Sequence, residues 1–144
     1  MISTMNRRVF VDVNVLMDVL AQRQPHYAAS AKAWVAVDRH DVSGWVSADS
    51  FSTLYYLLRK LSSHAEACQC LQKVGKIFEI VPVDADLIEN ALHSPLGDFE
   101  DAVQHECALR AMATVIITRD ARHFRHASIP VMTPEDFVAE IGLT

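Results

Sequence analysis

Apolar positions along the chain alternate between two spacings, and the alternation sets out the elements. Val9-Phe10-Val11 is a short run without polar interruption, as in a strand buried on both faces. Val15, Leu16, Val19 and Leu20 then recur at helical spacing, which predicts a short helix stopping before Pro25. His26 to about Arg39, with Tyr27, Ala31, Trp34, Val35 and Val37, predicts a second helix with Pro25 at its start. Gly44-Trp45-Val46-Ser47 predicts a strand. Asp49 or Ser50 caps a helix carrying Phe51, Leu54, Tyr55, Leu57, Leu58 and Leu61. Ser63 with Glu66 forms a capping-box pattern. Its helix runs through Cys68 and Leu71 to about Val74, where Gly75 is expected to end it. Ile77 to Val83 predicts a strand, Asp84 to Leu92 a helix, and Ser94 to Gly97 a loop. Asp98 opens a helix to about Met112, and Val115-Ile116-Ile117 is the strongest strand. Ile129-Pro130-Val131 predicts a short last strand, placed at an edge by its proline. Pro134 starts a closing helix through Phe137, Val138 and Ile141.

Strands separated by helices predict an α/β fold with a parallel sheet. The 144 residues fit a single domain, 1–144, without internal repeats, and four Gly and five Pro are too few for a linker. No stretch approaches the roughly 18 apolar residues of a membrane helix. Residues 1–8 are polar and lack a signal core. The expectation is a soluble, cytoplasmic protein with no membrane partner. Three cysteines, Cys68, Cys70 and Cys107, are too sparse for a disulfide framework and read as structural thiols.

The net charge of −5 excludes nucleic-acid binding through bulk positive charge. It leaves room for a local basic patch, and it permits a carboxylate-lined metal site. In parallel sheets, functional groups gather beyond the carboxyl ends of the strands. Asp12 follows the first strand there and Asp120 follows the strand at Val115–Ile117. Asp98 and Asp101 lie three apart at a helix start and share a face. Each acid also has a plain structural role. Asp12 and Asp120 can cap the turns that follow them, and Asp98 can cap its helix, with Glu100 and Asp101 favoured by the helix dipole. Asp18, Asp38, Asp41, Asp49, Asp84 and Asp86 read as surface or cap residues. If the first four acids meet, their repulsion demands bound protons or a divalent cation. Oxygen ligands without Cys or His favour Mg²⁺ or Mn²⁺, which activate water against a phosphodiester.

Three of these segments carry a resemblance. Val11-Asp12-Val13-Asn14-Val15-Leu16 resembles the opening D-x-N-[VI]-L motif of PIN-domain nucleases. Asp98-Phe99-Glu100-Asp101-Ala102-Val103-Gln104 resembles their central acidic helix start. Ile116-Ile117-Thr118-Arg119-Asp120, followed by Phe124, resembles their closing T-R-D…F motif. Order and spacing agree over nearly the whole chain. The resemblance implies a three-layer α/β/α sandwich with a central, mostly parallel sheet. It implies Mg²⁺- or Mn²⁺-dependent cleavage of RNA to 5′-phosphate and 3′-hydroxyl ends. Many small bacterial members are VapC-type toxins of toxin–antitoxin pairs and commonly form dimers. RNA (single-stranded or structured, tRNA included), an antitoxin protein and a second copy of the chain are therefore the expected partners. Asp12, Asp101 and Asp120 match the family's metal-site acids, Asp98 adds a fourth, and all four are expected to serve as metal ligands and in catalysis. Asn14 and Thr118 match polar positions that support the first and last acids by hydrogen bonds. Thr53 stands where many members carry a glutamate, so the alternative is a catalytically weakened module that binds RNA or protein.

An acidic centre still has to hold a polyanion. Arg119, Arg122, His123, Arg125 and His126 form a basic cluster beside Asp120, and Arg59 with Lys60 forms a smaller one. Arg119, Arg122 and Arg59 are the candidate substrate contacts, against the plainer reading of solvated surface. A receiver-like signalling domain also gathers acids around Mg²⁺. It requires an acidic pair after the first strand, which Asp12 lacks, and a late lysine, where Arg119 stands. Loops for binding nucleoside triphosphates or dinucleotides, and a serine-hydrolase elbow, are absent from the sequence.

Overall fold

The computed structural model describes residues 7–142. The polar segment 1–6 lies outside the described residues. Five strands form the sheet: β1 (Arg8–Val11), β2 (Ser43–Ser47), β3 (Glu79–Val81), β4 (Val115–Ile117) and β5 (Val131–Met132). Seven helices connect and close them: α1 (Val13–Leu20), α2 (Tyr27–Asp38), α3 (Asp49–Leu61), α4 (His64–Ile77), α5 (Ala85–Leu92), α6 (Phe99–Arg110) and α7 (Pro134–Glu140). A 3-10 turn spans Ala121–Phe124.

All four ladders are parallel, in the order β3-β2-β1-β4-β5. The side-chain period of two decides what each face buries. Val9 and Val11 of β1, with Val115 and Ile117 of β4, pack under α1, α2, α3, α4 and α7. Phe10 and Ile116 point to the other face, under α5, α6 and Phe124 of the 3-10 turn. The result is the expected three-layer sandwich.

Four local expectations change. Neither Asp49 nor Ser50 caps α3: both lie inside the helix, and Ala48 holds the N-cap position. Gly75 does not end α4, which runs on to Ile77. Leu71, Val74 and Ile77 continue one apolar face at helical spacing, and their burial outweighs the roughly 1 kcal/mol cost of a helical glycine. The expected strand from Ile77 to Val83 therefore shrinks to Glu79–Val81, since the helix takes Ile77 and Pro82 follows the strand. The last strand shifts to Val131–Met132, because Ile129 is buried in the α6-side core. Pro130 lacks a donor, but its carbonyl accepts from the Ile116 N–H at 2.9 Å, and β5 lies at the sheet edge as its proline demands. All three cysteines are free, and burial pushes the Cys107 thiol up to about 12.

The strand order places the site. From β1 the chain builds outward through β2 to β3, then returns to lay β4 on the other side of β1. The reversal opens a crevice at the carboxyl ends of β1 and β4, the place where open α/β sheets bind ligands.

Candidate active site

Asp12 emerges from β1 into this crevice, and its N–H still donates to the Ile117 carbonyl at 3.0 Å. It occupies the N-cap position of α1, but its buried side chain makes no capping hydrogen bond. The carboxylate turns to β4 instead, where Thr118 Oγ1 donates to Asp12 Oδ2 at 2.8 Å. Burial raises the pKa of Asp12 above its ordinary value. The Thr118 hydroxyl, the Val13 N–H and the nearby His123 and Arg119 only partly oppose it. Asn14 does not share this support: it is exposed, and among the described residues its side chain makes no hydrogen bond to Asp12. Its place in the first turn of α1 sets it on the solvent side.

Asp98 keeps its structural role. Its Oδ1 accepts from the Asp101 N–H at 3.0 Å, which caps α6 and fixes Asp101 in the first turn. The Asp101 pKa is pushed up to about 6, by burial first and then by Asp98. His123 opposes the rise, while Asp12 and Glu100 add to it. That Asp12 contributes means carboxylates from β1 and α6 share one field. Asp120 caps the 3-10 turn by accepting from the Arg122 N–H at 3.3 Å. Its Oδ1 also receives Arg122 Nε at 3.3 Å, and this bond holds its pKa below the usual range. His123 stands between two of the acids, with Nε2 at 3.1 Å from Asp120 Oδ2 and Nδ1 at 3.7 Å from Asp101 Oδ2. His123 thus bridges Asp101 and Asp120, Asp12 lies within electrostatic reach of His123 and Asp101, and Asp98 is exposed at the rim.

A buried polar network supports α6 from below. Gln104, one turn after Asp101, donates through Nε2 to Ser47 Oγ at 2.8 Å and reaches Ser50 Oγ at 3.4 Å. The two serine hydroxyls are 2.9 Å apart. The network ties α6 to the carboxyl end of β2 and the start of α3. Thr53 lies one turn further along α3 and is half-buried. The sequence reading missed this set and the bridging place of His123. The available signal was that Gln104 lies three residues after Asp101, on the same helix face.

The predicted cations separate. Arg122 is exposed and engaged with Asp120. Arg119 lines the crevice, but its Nε lies 2.8 Å from Asp18 Oδ2, while Arg23 Nε lies 2.8 Å from Asp18 Oδ1. Asp18, expected at the surface, is fully buried and serves as the shared anion of both arginines. Arg59 lies in the last turn of α3, far along the helix from its start beside the site, and donates to the Tyr55 hydroxyl at 3.2 Å. The structure does not bring it to the acids.

Among the described residues no three His, Cys, Asp or Glu side chains form a ready metal cage. The carboxylate donors fit a hard cation that keeps much of its water and takes further oxygens from a substrate phosphate, as Mg²⁺ and Mn²⁺ do.

The comparisons with known proteins bear on the fold and the family. Ribonuclease VapC1 of Aquifex aeolicus is 28% identical over 137 residues, covering 92% of this chain and 94% of that protein. A toxin–antitoxin complex from Klebsiella pneumoniae aligns at a TM-score of 0.65 and 21% identity, over 88% of this chain and 97% of its own. Mycobacterium tuberculosis VapC20, described as a Sarcin-Ricin loop cleaving toxin, aligns at 0.66 and 15% identity, over 80% and 92%. These two structural likenesses bear on the fold. The family model of the PIN domain matches residues 8–122, and the chain belongs to the PIN-domain family.

Proposed function

We propose that the chain is a divalent-metal-dependent ribonuclease, and the toxin of a toxin–antitoxin pair. One observation supports the reading: His123 links Asp101 of α6 to Asp120 beyond β4, and Asp12 at the end of β1 is within electrostatic reach of Asp101. Burying acids together is costly unless a cation or protons compensate. The relationship to a VapC ribonuclease supports RNA as substrate and an antitoxin as partner. Dimer formation belongs to the same proposal.

Asp12 and Asp101 would hold Mg²⁺ or Mn²⁺, with Asp98 and Asp120 acting through water or orienting the nucleophile. When bound, the metal supplies a water of lowered pKa and neutralises charge developing on the phosphate. Thr118 fixes the Asp12 carboxylate by its hydrogen bond. Asp101 has to be ionised to serve as a ligand, so metal binding competes with the proton that burial and Asp98 help it retain.

The test is cleavage of mixed-sequence RNA in Mn²⁺, with EDTA and Asp12→Asn as controls. Metal-dependent cleavage lost in the folded variant supports the reading. Mn²⁺ binding by the wild type without cleavage of any RNA favours the binding-module alternative, with Thr53 marking the loss.

A further inference from the structure

The turn after Asp120 carries Arg122, His123, Arg125 and His126 around a single apolar residue, Phe124. Phe124 is buried and pins the turn to the α6-side core. Behind it, the buried His105 of α6 accepts from the Ser128 N–H through Nε2 at 3.2 Å. The basic side chains therefore stand on an anchored rim. Arg122 and His123 are engaged with the acids. Arg125 and His126 are exposed and line a cleft of about 260 Å³ whose opposite wall is Pro95, Gly97 and Asp98 at the start of α6. A second cleft, of about 480 Å³, opens on the other side of Arg122 and His123, against Asn14, His26 and Thr133. Both clefts are lined by Arg122 and His123, with Asp101 also in the first and Asp120 in the second.

A polyanion entering this site meets carboxylates and a protein of net charge −5. Compensation has to come from cations within about one Debye length, 8–10 Å. Arg119 is occupied by Asp18, and Arg59 is remote. A single strand can splay its nucleotides between two clefts that share Arg122 and His123, which a duplex held in A-form geometry cannot do. Resting on the ribonuclease reading, we infer that Arg125 and His126 form a phosphate subsite, on the α6 side, for the nucleotide next to the scissile bond of single-stranded RNA. The guanidinium fork of Arg125 suits two oxygens of one phosphate.

The test is the anisotropy of a fluorescent single-stranded 12-mer of mixed sequence in Ca²⁺ buffer. It is titrated with wild type, Arg125→Ala/His126→Ala and Arg125→Lys over a salt series, with folding checked by thermal melts. The alanine pair is expected to raise Kd roughly fivefold to tenfold and to make the slope of log K against log salt shallower by about 0.7, the loss of one phosphate contact. Arg125→Lys keeps the slope. An alanine pair with wild-type Kd and slope overturns the inference, as does a wild type that does not bind the 12-mer. Cleavage of the same RNA in Mn²⁺ is scored separately: binding without cleavage defeats the ribonuclease reading and leaves the phosphate subsite standing.

Discussion

Asp101→Asn is expected to make the metal-free protein more stable while disabling the site. The Asp101 pKa lies at about 6 in the folded chain against an ordinary 3.8. Between these values the folded state holds a proton that the unfolded chain has released, so stability falls as pH rises through this window. Above it, ionised Asp101 sits half-buried beside Asp98 and Asp12, at a cost of about 1–2 kcal/mol once solvent screening is allowed for. Asparagine removes the charge but also gives up a favourable anion in the first turn of α6, worth about 0.5–1 kcal/mol. The net gain is about 0.5–1 kcal/mol at pH 8, or roughly 2–4 °C in Tm for a chain of this size. Below about pH 4 the two proteins should melt together. The assay is thermal unfolding by circular dichroism in EDTA across pH 4–8. Millimolar Mn²⁺ at pH 8 should then raise the wild-type Tm and leave the variant unmoved. A variant melting at or below the wild type at pH 8 in EDTA would refute the reasoning, because ionised Asp101 would then be stabilised without metal.

Three further substitutions probe the frame around the acids. Asp18→Asn leaves Arg23 and Arg119 without their buried anion and should cost about 3–5 kcal/mol in urea unfolding. Thr118→Val deletes the donor to buried Asp12. It should cost about 1–3 kcal/mol, raise the Asp12 pKa further and move the acid limb of any pH–rate profile upward. Gly44→Ala drives a Cβ to 2.5 Å from a Val37 methyl and 2.8 Å from the Phe78 ring, and should destabilise by about 1–3 kcal/mol in the same urea assay.

Much of this architecture was legible in the sequence because the sheet is buried on both sides. Apolar runs such as Val115–Ile117 have no other stable use, and the acids behind them sit where the chain leaves the core. That β1 lies next to β4, bringing Asp12 to Thr118, was not legible from periodicity. The pairing is long-range, and only the order of the motifs pointed to it. The fate of Asp18 was hidden for a similar reason. A lone acid in the apolar run of α1 looks like a surface residue until Arg119 arrives from the far side of the chain. His123 read as one of several basic neighbours, since its bridging role depends on how the 3-10 turn folds back over α6.

The Thr118–Asp12 bond joins residues 106 apart in the chain, across the sheet's central ladder. At synthesis rates of 5–20 residues per second, the ribosome delivers Asp12 roughly 5–20 s before Thr118. Throughout that interval β1 lacks its β4 neighbour, and Asp12 lacks both its hydrogen-bond donor and the carboxylates of α6 and the 3-10 turn. The acids can come together only after residue 120 has been made. The site is therefore incomplete for the whole time that the chain between Asp12 and Asp120 is being made.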